Sequence, residues 1–358
     1  MKTKRYVGLF IFLGIIISII YILLAVKPLS YEYQFTPVWK ISTANPVIAK
    51  APSSTKDLRA TMYFHLGQTL GYFDEDGNIS LYETFPSKVS ISDFYYATYN
   101  SAASNTEFFR SNGEKAGVIE AAGFPYFVDD LVSVFLPGGN SFSKCSGTGR
   151  VLWTFEGTFP ITAFAAKNQF TAVGLANGTI KVLDNATGST LIDFAPGGSD
   201  YPVILGLDIS DDGQYIASVS GHNHQRFVLS HREENQQKII YHKFFDYDSP
   251  LRTIVRFCND GKRVFYNYHD GLGFYNLEDK SEKTIPLKDK IISVEETNDF
   301  IILLGKEKSN YTVSVIDNTN TLEGSFSFEA ESAFINAHEN DIYLGKDSSI
   351  SRMTISKE

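Results

Sequence analysis

A repeat of about 40 residues constrains this chain more than any other feature. Four glycines in similar turn contexts, Gly77, Gly113, Gly149 and Gly188, fall 36, 36 and 39 residues apart. Each lies between two short runs rich in β-branched and aromatic residues. No stretch after Pro28 carries the 3.6-residue apolar period of a surface helix. A second hairpin type alternates with the first. Residues 205–210 and 214–220 flank Asp211-Asp212-Gly213, and residues 253–258 and 262–268 flank Asn259-Asp260-Gly261. Weaker copies turn at Lys167-Asn168, Asn298-Asp299 and Asn340-Asp341. Asn, Asp and Gly suit these places because tight hairpin turns demand positive φ. A unit of about four short strands cannot bury its own faces, so successive units must stack on one another.

The expected fold is therefore all-β: a single closed β-propeller of four-stranded blades. Third strands near Tyr72, Phe108, Phe142, Ile180, Phe227, Phe274, Val313 and Ser351 count eight blades, or seven if the irregular second unit is not one. The two tryptophans indicate how the ring closes. Trp153, in Val151-Leu152-Trp153-Thr154-Phe155, ends its unit. Trp39, in Pro37-Val38-Trp39-Lys40-Ile41, repeats the pattern with no unit before it. Residues 349–355 read as a third strand without a fourth. Residues 35–42 are expected to supply that outer strand, closing the last blade and removing two open sheet edges.

Residues 7–26 contain no charged side chain. Twenty helical residues span ~30 Å, the thickness of a bilayer's hydrocarbon core. A cleaved signal peptide would have an apolar core of only ~7–15 residues and a small residue where Leu23 stands. An uncleaved signal anchor is expected. Lys2, Lys4 and Arg5 precede the run, and the positive-inside rule keeps that end cytoplasmic. The resulting domain plan is a cytoplasmic N-terminus over 1–6, a transmembrane anchor over 7–26, a linker over 27–34 and an extracytoplasmic, periplasmic propeller over 35–358. The expected address is the inner cell membrane, crossed once. Composition narrows the remaining classes. The 28 Phe and 20 Tyr exclude whole-chain disorder. With 41 acidic against 32 basic residues, three of the latter before residue 6, the chain is no nucleic-acid binder. Cys145 and Cys258 permit one disulfide at most and no cysteine-based metal cluster.

Units containing Thr148-Gly149-Arg150-Val151-Leu152-Trp153-Thr154-Phe155 or ending in Ala186-Thr187-Gly188-Ser189-Thr190-Leu191-Ile192-Asp193-Phe194 resemble quinoprotein-type propeller repeats. The run from Ser210 to Ala217, with Asp211-Asp212-Gly213, resembles WD40-like repeats. The resemblance spans nearly everything from Phe35 onward. It implies either an enzyme holding pyrroloquinoline quinone on the propeller axis or a non-enzymatic propeller. The propeller lipoprotein of the outer-membrane barrel-assembly machinery is of the second kind. Adjacent cysteines, which often lie against the quinone in such enzymes, are absent, and no carboxylate constellation maps onto theirs. No enzyme activity, cofactor or bound metal is expected. This chain also has an apolar run where the lipoprotein has a lipidated cysteine.

Candidate chemistry is sparse. In Gly221-His222-Asn223-His224, two histidines at i, i+2 on an extended strand would share a face, but no third metal ligand can be placed and the segment reads as a polar, solvent-facing loop between strands. Asp74-Glu75-Asp76-Gly77-Asn78 puts glycine fourth rather than sixth in a calcium loop and reads as a hairpin turn. Phe94-Tyr95-Tyr96, Tyr99 and Phe108-Phe109 read as packing between blades. The expected function is a non-catalytic protein-interaction scaffold in the cell envelope, membrane-bound through its N-terminal helix, with one or more envelope proteins as partners. A quinone- or metal-dependent oxidoreductase and a carbohydrate-binding sensor are the other readings. Loops joining second to third strands share one propeller face, so the partner-binding candidates are His222, Asn223, His224, His269 and Asp270.

Overall fold

Strands in this chain are of two kinds, and position in a blade explains both. Phe300–Glu307 (FIILLGKE) is almost continuously buried because neighbouring blades cover both its faces. Leu322–Glu329 (LEGSFSFE) alternates between exposed and half-buried residues because only one face is covered. The computed structural model describes residues 33–44, 46–48, 61–100, 104–234, 236–249 and 253–357, with helical positions 12, 14–16, 18 and 21. Among them, 31 strands form eight antiparallel sheets in sequence order. Blade 1 covers 61–84, blade 2 88–119, blade 3 124–156, blade 4 161–194, blade 5 201–244, blade 6 255–286 and blade 7 290–329. Blade 8 comprises Ala333–His338, Asp341–Lys346, Ser349–Lys357 and Tyr33–Ser42.

That last strand closes the ring. It pairs antiparallel with Ser349–Lys357 from Tyr33 opposite Lys357 to Ser42 opposite Ser349, slipping by one residue between Pro37 and Trp39. Proline is tolerated there because the strand lies at the outer edge. The indole of Trp39 reaches the next blade and donates to the Glu75 carbonyl at 2.9 Å. Trp153 does the same between blades 3 and 4, donating to the Asn185 carbonyl at 3.0 Å.

Four-stranded blades were expected throughout; seven have four strands, and blade 1 has three among the described residues. They are Thr61–Leu66, Thr69–Asp74 and Ile79–Thr84. The amide of Phe85 donates to Gln68 just as Leu287 donates to Asp270 and Ala330 to Ser309, each joining the end of a fourth strand to a loop between second and third. Blade 1 thus holds its second, third and fourth strands. Residues 49–60, which precede them, lie outside the described residues.

The core is divided among the blade interfaces. Eight apolar clusters each span two successive blades, so the hydrophobic effect holds the ring together blade by blade. Tyr95, Tyr96 and Phe108 belong to this packing, Tyr96 stacking on Phe109 at 5.3 Å and Tyr95 meeting Phe127 at 5.9 Å. Cys145 in blade 3 and Cys258 in blade 6 are buried free thiols. Asp74–Asn78 is a hairpin turn, with Gly77 at φ 84° and the Asp74 carboxylate accepting the amides of Asp76 and Asn78. Among the described residues no helix is long and apolar enough to cross a membrane. Most of the anchor expected over 7–26, and the linker up to residue 32, lie outside them.

Candidate functional site on the loop face

The five candidate residues fall on two neighbouring loops. His222, Asn223 and His224 join the second and third strands of blade 5; His269 and Asp270 do so in blade 6. All five are exposed. His222, Asn223 and His224 form the polar loop expected between strands, and the metal reading's shared strand face is absent. Asn223 and His224 have φ of 55° and 64°, so the histidines lie on a tight turn, where i, i+2 no longer means one face. Among the described residues no three His, Cys, Asp or Glu side chains are grouped to hold a metal ion.

Two flanking loops clamp this turn. From the side of blade 4, the Ser199 hydroxyl lies 2.6 Å from the carbonyls of both His222 and Asn223. From the side of blade 6, the Asp248 carboxylate accepts the amides of Asn223 and Gln225. The buried Gln225 side chain ties the turn to Ser249, donating to its carbonyl at 2.9 Å and accepting its amide at 3.0 Å. A left-handed histidine is conformationally costly, and these bonds hold it in place.

The same clamps gather residues that sequence reasoning missed. Tyr201 pairs with His222 across the first two strands of blade 5 and is 63% exposed. Phe244, 47% exposed, meets His224 edge-on at 6.4 Å. Tyr247, 65% exposed, bridges to His269 at 5.7 Å. The nearly buried Arg226 guanidinium lies 5.3 Å from the Phe244 ring centroid and donates to the carbonyls of Pro196 and Gly197. The result is one surface across blades 5 and 6, with three exposed aromatic rings beside three imidazoles. Tyr201 and Tyr247 stand next to Asp200 and to Asp246 and Asp248, an aromatic–acid pairing that was visible in the sequence. Their common location was not, because it depends on two blades packing side by side.

A second concavity follows the propeller axis. It has a volume of about 880 Å³ and is lined by first strands of blades 2–8 and by Met62 and Tyr63 of blade 1. Its charged lining residues are Asp93, Asp129, Asp208 and Glu295 with Lys167, Arg256 and Lys290. Burial raises Glu295 to about 7, with Arg256 opposing, and raises Asp93 to about 6, where the Tyr63 amide opposes. Burial also raises Asp208, although its carboxylate accepts the amides of Ile209 and Phe257 at 2.9 and 2.8 Å. Asp208 thereby links blade 5 to blade 6.

The comparisons agree with this architecture. A relative from Treponema pallidum (strain Nichols), described as an uncharacterized protein, is 26% identical over 362 residues, covering 99% of this chain and 96% of the relative. The crystal structure of BamB from Moraxella catarrhalis superposes with a TM-score of 0.60 at 13% identity, covering 90% of this chain and 100% of that one. The computationally designed Ika8 protein gives 0.63, also at 13% identity, covering 89% and 99%. At such identities the likeness is one of fold alone. The model for beta-propeller proteins matches residues 1–358. Matched along its whole length and built of eight sheets, this chain belongs to the beta-propeller protein family.

Proposed function

We propose that this propeller is a membrane-tethered, extracytoplasmic, non-catalytic scaffold that binds a protein of the cell envelope through its blade 5–6 loop face. The observation that carries the reading is the exposure of Tyr201, Phe244 and Tyr247 on loops that Ser199, Gln225 and Asp248 hold in place. Large aromatic side chains on a rigid support lose little conformational entropy on binding and make effective interface anchors. The tether rests on the charge-free run 7–26 and the basic residues before it.

A photo-crosslinking residue placed at position 247 of the full chain, in intact cells, tests this. Its control is the same residue at position 299, in the first-to-second-strand turn of blade 7 on the opposite face. One or a few envelope proteins joined through 247 and not 299 would support the scaffold. Equal products from both positions, or none from 247, would overturn it. A stoichiometric quinone or metal in the purified chain would favour an oxidoreductase instead.

A further inference from the structure

The chemistry of the blade 5–6 surface is more specific than a generic docking face. The described residues of its loops, 195–201, 221–225, 244–249 and 268–270, include Asp200, Asp246, Asp248 and Asp270 and no lysine or arginine. Asp248 is turned to the backbone of Asn223 and Gln225, and Asp270 lies 2.6 Å from His269. Asp200 and Asp246 are exposed beside Tyr201 and Tyr247. The Arg226 guanidinium beside Phe244 is nearly buried and directed to the carbonyls of Pro196 and Gly197. The described residues of these loops therefore offer carboxylates and aromatic rings without an exposed cation, and Lys288, exposed on the connection to blade 7, stands at their edge beside Leu287, whose amide donates to Asp270. Arg226 over Phe244 is an example, within the same surface, of a cation seated on one of these rings.

We propose that this surface receives an extended, lysine- or arginine-rich segment of the partner protein, its cationic side chains lying on Tyr201 and Tyr247 and meeting Asp200, Asp246 and Asp270. The assignment rests on the scaffold reading above and names the partner's chemistry. An apolar helix is a poorer fit. It would take these carboxylates out of water without a counter-charge, and the rings are interrupted by acids rather than joined in one apolar strip. An oligosaccharide would use the rings and leave the charge unanswered. A basic segment satisfies both, and complementary charge also speeds its encounter with the surface.

The test uses the full chain in detergent and a fluorescent octalysine peptide, followed by anisotropy at 50 and 200 mM salt. Octaglutamate and a hexamer of N-acetylglucosamine serve as competitors. Octalysine is expected to bind, with affinity falling at least fivefold between the two salt concentrations. The doubles Tyr201→Ala/Tyr247→Ala and Asp246→Asn/Asp270→Asn should each weaken it at least fivefold, and Tyr201→Phe/Tyr247→Phe should restore most of the binding. The matched charge control is Asp76→Asn/Asp299→Asn in opposite-face turns, expected to change affinity less than twofold. Equal weakening by the control would reduce the effect to diffuse attraction by an acidic chain and overturn the proposal. So would displacement by the sugar hexamer, which would indicate a carbohydrate face. A partner crosslinked through position 247 alongside octalysine binding that ignores the surface variants would overturn the basic segment and leave the scaffold standing. Failure to crosslink any protein would overturn the scaffold itself.

Discussion

Replacing Trp39 by alanine should open the ring at one identifiable seam. Trp39 lies in Tyr33–Ser42, the strand that closes blade 8 and, among the described residues, the one part of that blade drawn from the N-terminal side of the chain. Its ring packs against Phe73 at 6.5 Å and Tyr343 at 6.0 Å, covers Gly77, and donates to the Glu75 carbonyl. Truncating a fully buried Trp costs ~3–5 kcal/mol, and a half-buried one about half of that. The lost hydrogen bond adds ~1 kcal/mol. The expected destabilisation is ~2.5–3.5 kcal/mol, or about two to two and a half orders of magnitude in the equilibrium between closed and open rings. Trp153→Ala removes equivalent contacts, including the hydrogen bond to Asn185, but from a blade whose strands are contiguous in sequence. Amide hydrogen exchange of the full chain in detergent separates the two. Trp39→Ala should lower protection in Tyr33–Ser42 and Ser349–Lys357 well before the rest of the ring, whereas Trp153→Ala should lower it in blades 3 and 4. Unchanged protection of Ser349–Lys357 in Trp39→Ala would refute closure through this strand.

Four further outcomes follow from the packing of the ring. Glu295 titrates at about 7 in the folded chain because of burial, above its ordinary 4.5, so its contribution to stability is full at low pH and is lost as pH rises through about 7. Glu295→Gln should flatten the fall in urea midpoint between pH 5 and pH 8, and a slope identical to wild type would show that other groups cause it. Glu282 accepts hydrogen bonds from Tyr266, Lys243 and Tyr241 at 2.6, 2.7 and 2.8 Å, joining blades 5 and 6, and Glu282→Ala should cost ~1–3 kcal/mol by urea unfolding at pH 7. A Cβ on Gly117 would lie 2.1 Å from the Thr148 carbonyl oxygen of blade 3, so Gly117→Ala should cost ~1–3 kcal/mol. In Gly324→Ala the new methyl would meet only Phe35, at 3.8 Å, and the thermal midpoint should barely move.

Much of the fold could be read directly because each blade announces itself locally. Asp211-Asp212-Gly213 and Asn259-Asp260-Gly261 place turns, the Gly77–Gly188 series sets the period, and the unmatched Trp39 pattern indicates closure. These signals depend on φ preferences and strand patterning, which act over a few residues. The two-histidine segment, read as a polar loop rather than a metal pair, is a loop: i, i+2 means one face only on a strand, and Gly221 with the clamps from Ser199 and Asp248 makes a turn here.

The amino-acid sequence by itself determined the repeat, the order of its units, the turns and the strand that closes the ring, and narrowed the count to eight or seven, since these follow from local conformational preference and a fixed repeat. Only the tertiary structure decided which residues share a surface. Tyr201, His222, Phe244, Tyr247 and His269 come from four segments across 69 residues, and side-by-side packing of blades 5 and 6 makes them neighbours. Likewise, Asp93 and Glu295 become cavity-lining acids with raised pKa values only when the ring closes around them. Burial and electrostatic coupling belong to the assembled ring, and no single repeat encodes them.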